Sequence, residues 1–272
     1  PVYPPFLSAP GWQGTRLVTS ALTLRDGRWT FDFADLEAKV TPRTRGFMLC
    51  HPHNPVGRVF SAEELQQIGD FCLRHGLVLC SDEIHCDLLY AGAAHTMTAG
   101  LSPQLRDITI TLHAPSKTYN LPGLSCAYAV IPNATLRAKF QRAARGFVTE
   151  VNLMGYAGCI AAYTEGEPWR QALMAYLTGN RDALYTFVEQ RLSPAITLPA
   201  PMAATYLAWM DISGLRQRGV EDPRAFLLEH AGVGLSGGGD FGDNNYVRLN
   251  FGCPRTRLIE ALERVAAAID TL

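Results

Sequence analysis

Apolar residues fall into short blocks along this chain, each closed by polar or turn-forming residues. Gly46-Phe47-Met48-Leu49-Cys50 is one such block, and it stops at the Pro-rich turn His51-Pro52-His53-Asn54-Pro55. Ser61, followed by Glu63 and Glu64, predicts a helix start, and Leu65, Ile68, Phe71 and Cys72 continue it at helical spacing until Gly76. Leu77-Val78-Leu79-Cys80 reads as a buried strand stopping at Ser81-Asp82-Glu83. Asp107–His113 is rich in β-branched residues and reads as a strand leading into Ala114-Pro115-Ser116-Lys117. Leu124–Ile131 reads as another, closed by Pro132. Helices are expected over about 133–145, 151–165 and 168–192.

Apolar strands alternating with helices predict an α/β fold: a mainly parallel sheet covered on both faces. After about residue 195 the pattern changes. Short strands are expected at Thr205–Met210 and Tyr246–Phe251, with helices at about 222–231 and 255–270. These predict a smaller C-terminal α/β domain, with the division at 1–172 and 173–272, along a long helix.

Composition narrows the function. The 272 residues are 47% hydrophobic, enough for a sizeable core, and the formal net charge is −1 with both signs dispersed. No basic block points to nucleic acid or an anionic membrane, and no apolar run approaches the roughly 20 residues of a membrane span. The start, Pro1-Val2-Tyr3-Pro4-Pro5-Phe6, lacks the basic and apolar regions of a signal peptide, and it lacks an initiator Met. Seven cysteines lie at 50, 72, 80, 86, 126, 159 and 253 without a CxxC pair, an odd number set mostly in apolar runs. They read as buried reduced thiols of a cytoplasmic protein, and the spacing offers no metal site.

Chemistry concentrates past the strand ends. Asn54, Asp82 and Lys117 each follow an apolar block, and in open parallel sheets the ligand crevice lies at the carboxyl ends of the strands. Only three lysines occur, Lys39, Lys117 and Lys139, and the first and last sit among charged residues. Lys117 alone lies in a strand-end loop of small, aromatic and amide residues. Lost solvation there favours the free amine, the requirement for Schiff-base chemistry.

The segment Ala114-Pro115-Ser116-Lys117-Thr118-Tyr119-Asn120-Leu121-Pro122-Gly123-Leu124 resembles the cofactor-lysine segment of the pyridoxal-phosphate (PLP) dependent, fold-type I aminotransferase class I/II family. It is most similar to that family's cystathionine β-lyase (C–S lyase) branch of the MalY/PatB type. His53-Asn54-Pro55-Val56-Gly57 is similar to the family's Asn-Pro-x-Gly turn, Ser81 to Leu88 to its cofactor-aspartate segment, and Tyr246 to Arg255 to its substrate-carboxylate segment. The four pieces occur in the family's order and span essentially the whole chain.

The resemblance implies the fold-type I architecture, a homodimer, and roles for individual residues. Lys117 would bind PLP covalently and later act as general base. Asp82 would hold the pyridine N–H, and Asn54 the phenolic oxygen. His85, where many aminotransferases have a tyrosine, is a further candidate at that oxygen, with a core histidine as the alternative. Ser116 would bind phosphate, Tyr3 would stack on the ring, and Arg248 would clamp the substrate carboxylate. Two departures stand out. Ala114 replaces a phosphate-binding hydroxyl, and Ser125 replaces a phosphate-binding arginine of many aminotransferases. The second favours the lyase branch. Relatives begin well before the Tyr-Pro-Pro-Phe segment, so an N-terminal arm and a phosphate-cradling glycine turn are expected outside this chain, leaving weak PLP binding as the expectation. The implied activity is β-elimination of a sulfur amino acid to thiol, pyruvate and ammonia. An aminotransferase and the aminotransferase-like effector domain of a transcription regulator stay open as alternatives.

Overall fold

The computed structural model describes all residues, Pro1 to Leu272. In chain order the elements are α1 (Pro4–Trp12), β1 (Thr23–Arg25), β2 (Arg28–Thr30), α2 (Phe33–Lys39), β3 (Gly46–Cys50), α3 (Ala62–Arg74), β4 (Val78–Asp82), α4 (Pro103–Ile108), β5 (Thr109–His113) and β6 (Tyr128–Val130). There follow α5 (Ala134–Ala144), α6 (Leu153–Glu165), α7 (Glu167–Phe187), β7 (Leu207–Asp211), α8 (Ser213–Gln217), α9 (Pro223–Ala231), β8 (Ser236–Gly237), β9 (Tyr246–Asn250) and α10 (Arg255–Ile269). No helix is long and apolar enough to cross a membrane.

The chain forms two compact units. One comprises Leu36–Pro52 and Val59–Leu173; the other comprises Pro1–Asp35, His53–Arg58 and Met174–Leu272. This is not the contiguous division 1–172 and 173–272: the N-terminal segment and the turn 53–58 cluster with the C-terminal part. The reason is local. In the second unit Val56 shares a core with Trp29, Trp209, Phe241 and Tyr246, and Val2 N–H donates to Phe241 O.

The unit containing Leu36–Pro52 and Val59–Leu173 is built on a four-stranded sheet of order β3-β4-β5-β6. β3, β4 and β5 run parallel and β6 is antiparallel, so the sheet is mainly parallel, as the alternation of strands and helices predicts. The helix after β3 forms because its start is capped from both sides. Ser61 Oγ accepts from Glu64 N–H, and the Glu64 carboxylate accepts from Ser61 N–H. Its stripe of Leu65, Ile68, Phe71 and Cys72 is buried, each large apolar side chain contributing roughly 1.5–3 kcal/mol.

Three strand expectations in this unit shift, and in the other unit the expected Thr205–Met210 and Tyr246–Phe251 become Leu207–Asp211 and Tyr246–Asn250. Strand β4 runs on through Asp82, so Asp82 is its last residue. The first two residues of the expected strand 107–113 belong to α4, whose start Ser102 caps. The expected strand 124–131 shrinks to Tyr128–Val130, because Pro122–Leu124 forms a 3-10 turn and Ser125 takes a left-handed conformation (φ 50°) that no strand accommodates.

The other unit carries the antiparallel sheet β7-β9-β8 and the hairpin β1-β2. Register pairs Trp209 with Arg248 and Met210 with Val247. The rings of Trp209 and Tyr246 stack 5.1 Å apart, at 6° between their planes.

Candidate active site

Asp82 and Lys117 come from the parallel sheet. Register places Asp82 beside Leu112, one residue before the end of β5, and Lys117 follows that end by four residues. The backbone around Asp82 is tied on both sides: His51 N–H donates to Asp82 O (2.9 Å), and Glu83 N–H donates to Leu112 O (3.0 Å). Its carboxylate accepts from Ile84 N–H through Oδ1 (3.2 Å), and Oδ2 accepts no hydrogen bond. Burial pushes the Asp82 carboxyl above its usual range, against the pull of the Ile84 N–H and the Lys117 charge. A half-buried anion in this state gains from a cation placed against it.

The Lys117 loop is a set of short turns. Tyr119 N–H donates to Pro115 O (2.8 Å), and Leu121 N–H donates to Ser116 O (3.2 Å). Two residues past the lysine, Tyr119 packs edge-on against Tyr163 and at a tilt against Trp169. Gly166 makes room for it: a Cβ there would lie 2.6 Å from the Tyr119 ring. Ser116 and Lys117 are half-buried. Thr118 Oγ1 is buried without a partner, an unpaired hydroxyl beside the lysine. His85 is buried in the turn that follows Asp82, where Leu88 N–H donates to its carbonyl.

Asn54, Arg248 and Tyr3 belong to the other unit. Asn54 lies in a turn closed by His53 N–H to Arg58 O (2.8 Å) and by Gly57 N–H to His53 O (2.8 Å). Gly57 is required there: its φ is +66° and a Cβ would lie 2.9 Å from Ala204 O. Arg248, in the middle of β9, donates from Nη1 to Asn54 Oδ1 (3.0 Å) and from Nη2 to Ser236 Oγ (3.4 Å). Its guanidinium lies 4.7 Å from the Phe241 ring centre. Its Nε is buried without a partner. Burial draws its pKa down, while Tyr3 and Tyr206 oppose this. The bond to Oδ1 orients the Asn54 amide. Tyr3 is 36% exposed, immediately ahead of α1, where its carbonyl accepts from Phe6 N–H.

Taken singly, these residues have the chemistry that PLP requires. A carboxylate with an open oxygen matches a protonated ring nitrogen, a lysine matches the aldehyde carbon, and an oriented amide matches the phenolic oxygen. The guanidinium with an unpaired N–H matches a carboxylate. Ser116, the expected phosphate ligand, offers a hydroxyl; at the two positions where relatives bind phosphate and this chain departs, Ala114 is buried and has none to offer, and Ser125 is held in a left-handed turn.

Two groups around these residues escape sequence reasoning. Glu83 is wholly buried and bonded to His95; its adjacency to Asp82 was visible, but nothing marked its partner twelve residues away. Asn180, also wholly buried, donates from Nδ2 to Phe251 O and Cys253 O and accepts from Arg255 Nε. It thereby pins the chain just after β9. A polar residue on the inner face of α7 was the only available signal.

The family model for aminotransferase class I and II matches residues 1–265. Cystathionine beta-lyase PatB of Bacillus subtilis (strain 168) is 36% identical over 279 residues, covering 99% of this chain and 70% of that protein. The crystal structure of OvoB is 42% identical with a TM-score of 0.94, covering 100% of this chain and 70% of that one. Cystalysin from Treponema denticola, whose crystal structure contains a pyridoxal 5'-phosphate cofactor, is 32% identical with a TM-score of 0.92, covering 99% and 69%. The chain belongs to the aminotransferase class I and II family.

Proposed function

We propose that this protein is a PLP-dependent carbon–sulfur β-lyase that cleaves a sulfur amino acid. The observation that carries this is the Asp82–Lys117 pair at the carboxyl ends of β4 and β5: an acid left partly unpaired and the one lysine outside charged helix surfaces. The likeness to cystathionine beta-lyase PatB over 99% of the chain supports elimination over transamination.

When bound, PLP supplies an electron-withdrawing ring that stabilises negative charge at the substrate Cα. Lys117 would hold the cofactor, and its amine would serve as the base for the substrate Cα proton. The Asp82 carboxylate keeps a proton on the ring nitrogen. Asn54 Nδ2 donates to the phenolic oxygen, with His85 a second candidate there. Ser116 donates to phosphate, and Tyr3 covers the ring face and excludes water. Arg248 binds the α-carboxylate by a charge-assisted bidentate pair. In balance, an S-substituted cysteine and one water give a thiol, pyruvate and ammonia; the thiol is homocysteine when the substrate is cystathionine.

A homodimer is part of this reading. Leu153, Tyr156, Ile160 and Tyr163 line one side of α6 and are exposed, as are Phe147 and Val148 just before it. An apolar face of this kind marks an interaction surface, and a second copy of the chain is the proposed occupant. Seven free thiols support a reducing, cytoplasmic setting. Burial pushes the Cys72 thiol up to about 12 and the Cys80 thiol up to about 11, so neither is a ready nucleophile.

The test is pyruvate release from cystathionine or an S-alkyl cysteine with PLP present and no keto acid. Release is expected. Conversion of amino acids only when a keto acid is supplied would contradict the lyase reading and point to an aminotransferase.

A further inference from the structure

The Glu83 carboxylate is fully excluded from solvent, so it can touch neither cofactor nor substrate. Its surroundings nevertheless satisfy it on both oxygens. Oε1 accepts from Ser81 Oγ (2.8 Å) and from Thr98 N–H (3.2 Å). Oε2 accepts from His95 Nε2 (2.7 Å). Burial alone would push its carboxyl up, but the His95 hydrogen bond and charge, with those from Ser81 and Thr98, hold it below the usual carboxylate range. His95 is itself fixed, because its ring stacks on that of the buried His51 at 4.5 Å and 24°.

Buried ion pairs are a poor source of stability, since apolar residues of similar size commonly serve as well or better. The arrangement therefore needs another reason, and the strand supplies one. Side chains alternate along β4, which sets Ser81 and Asp82 on opposite faces, and Glu83, one residue past the strand end, joins Ser81 through its hydrogen bond. The Ser81–Glu83 pair is bonded to the segment 95–98. The backbone between is tied to β3 through His51 N–H and to β5 through Leu112 O. Asp82 is thus carried on a peptide unit restrained from three directions, although its own side chain has a single hydrogen-bond donor, Ile84 N–H.

We propose that Glu83, with His95 and Ser81, is a positioning residue that sets the direction in which the Asp82 carboxylate meets the ring nitrogen of the cofactor. This rests on the reading of Asp82 given above. Glu83 acts on one atom of the ligand, through one other residue. A residue that merely held the fold together would affect every ligand alike.

That difference is measurable on equilibrium binding, without turnover. The dissociation constants of PLP and of its deaza analogue, which has carbon in place of the ring nitrogen, are determined for the wild type, Glu83→Gln, Asp82→Asn and the double variant. The wild type should prefer PLP. Glu83→Gln should weaken PLP by about tenfold and the deaza analogue by less than about twofold, and its effect on PLP should vanish in the Asp82→Asn background. Equal weakening of both ligands, or an undiminished effect in that background, would overturn the proposal. Should Glu83→Gln fail to fold, Ser81→Ala, which removes one donor and keeps the carboxylate, is read the same way with an expected ratio of about threefold. A wild type that binds the two ligands equally would overturn the assignment of Asp82 itself, and the proposal with it.

Discussion

The two units present their chemistry differently. In the unit of the parallel sheet, Asp82 and Lys117 stand at or past the ends of strands and are held by backbone: strand register, short turns and amides donated across the sheet. In the unit of the antiparallel sheet, Arg248 stands in the middle of β9. It is held by side chains, with Asn54, Ser236 and Phe241 around its guanidinium. Strand-end groups are placed first by topology, and for Asp82 the bonded Ser81, Glu83 and His95 side chains lie beside that backbone. A mid-strand group depends on each neighbour that shapes its seat.

Mutations should sharpen that contrast. The largest effect is expected for Lys117→Ala, which would remove both the proposed cofactor attachment and the proposed Cα base. Pyruvate release should fall by at least about 10⁴-fold, and wild-type turnover in a coupled pyruvate assay would break the assignment. Asp82→Asn keeps the shape and loses the charge; turnover should fall about 10²- to 10³-fold while some PLP still binds, and unchanged turnover would reduce Asp82 to a structural residue. Arg248→Ala should act mainly on KM, with a loss in kcat/KM of about 3 kcal/mol. An effect confined to kcat would place Arg248 away from the substrate carboxylate.

Two smaller effects concern the scaffolds. Gly57→Ala puts a Cβ against Ala204 O at positive φ, so urea unfolding should show a loss of about 1–3 kcal/mol. Ser61→Ala removes one side of the α3 capping box and should lower stability by about 1 kcal/mol. A larger loss from Ser61→Ala than from Gly57→Ala would reverse the order the geometry sets.

The sequence was most informative where one physical rule dominated. Helix α3 was legible because its cap and its apolar stripe agree. The strand before Asp82 was legible because it is continuously apolar, and the one before Lys117 because it is rich in β-branched residues. Elsewhere local signals conflicted with the outcome. Helix α1 was not expected, since it contains Pro4, Pro5 and Pro10; the first two occupy its opening turn and lack only amides that need no partner. The hairpin β1-β2 turns on Asp26-Gly27, both with positive φ, a strong turn signal, but its three-residue strands carry almost no alternation. Leu124–Ile131 misled because apolar content says nothing of the backbone reversal at Ser125. Arg248 was recognisable only through the motif around it, and the Glu83–His95 contact through nothing local at all.

The central claim is that Lys117 is the residue joined to pyridoxal phosphate. Borohydride reduction of the PLP-loaded chain, followed by peptide mass mapping, tests it directly. The account predicts a pyridoxyl group on the peptide containing Lys117 and on no other; a label on Lys39 or Lys139, or none on Lys117, would contradict it.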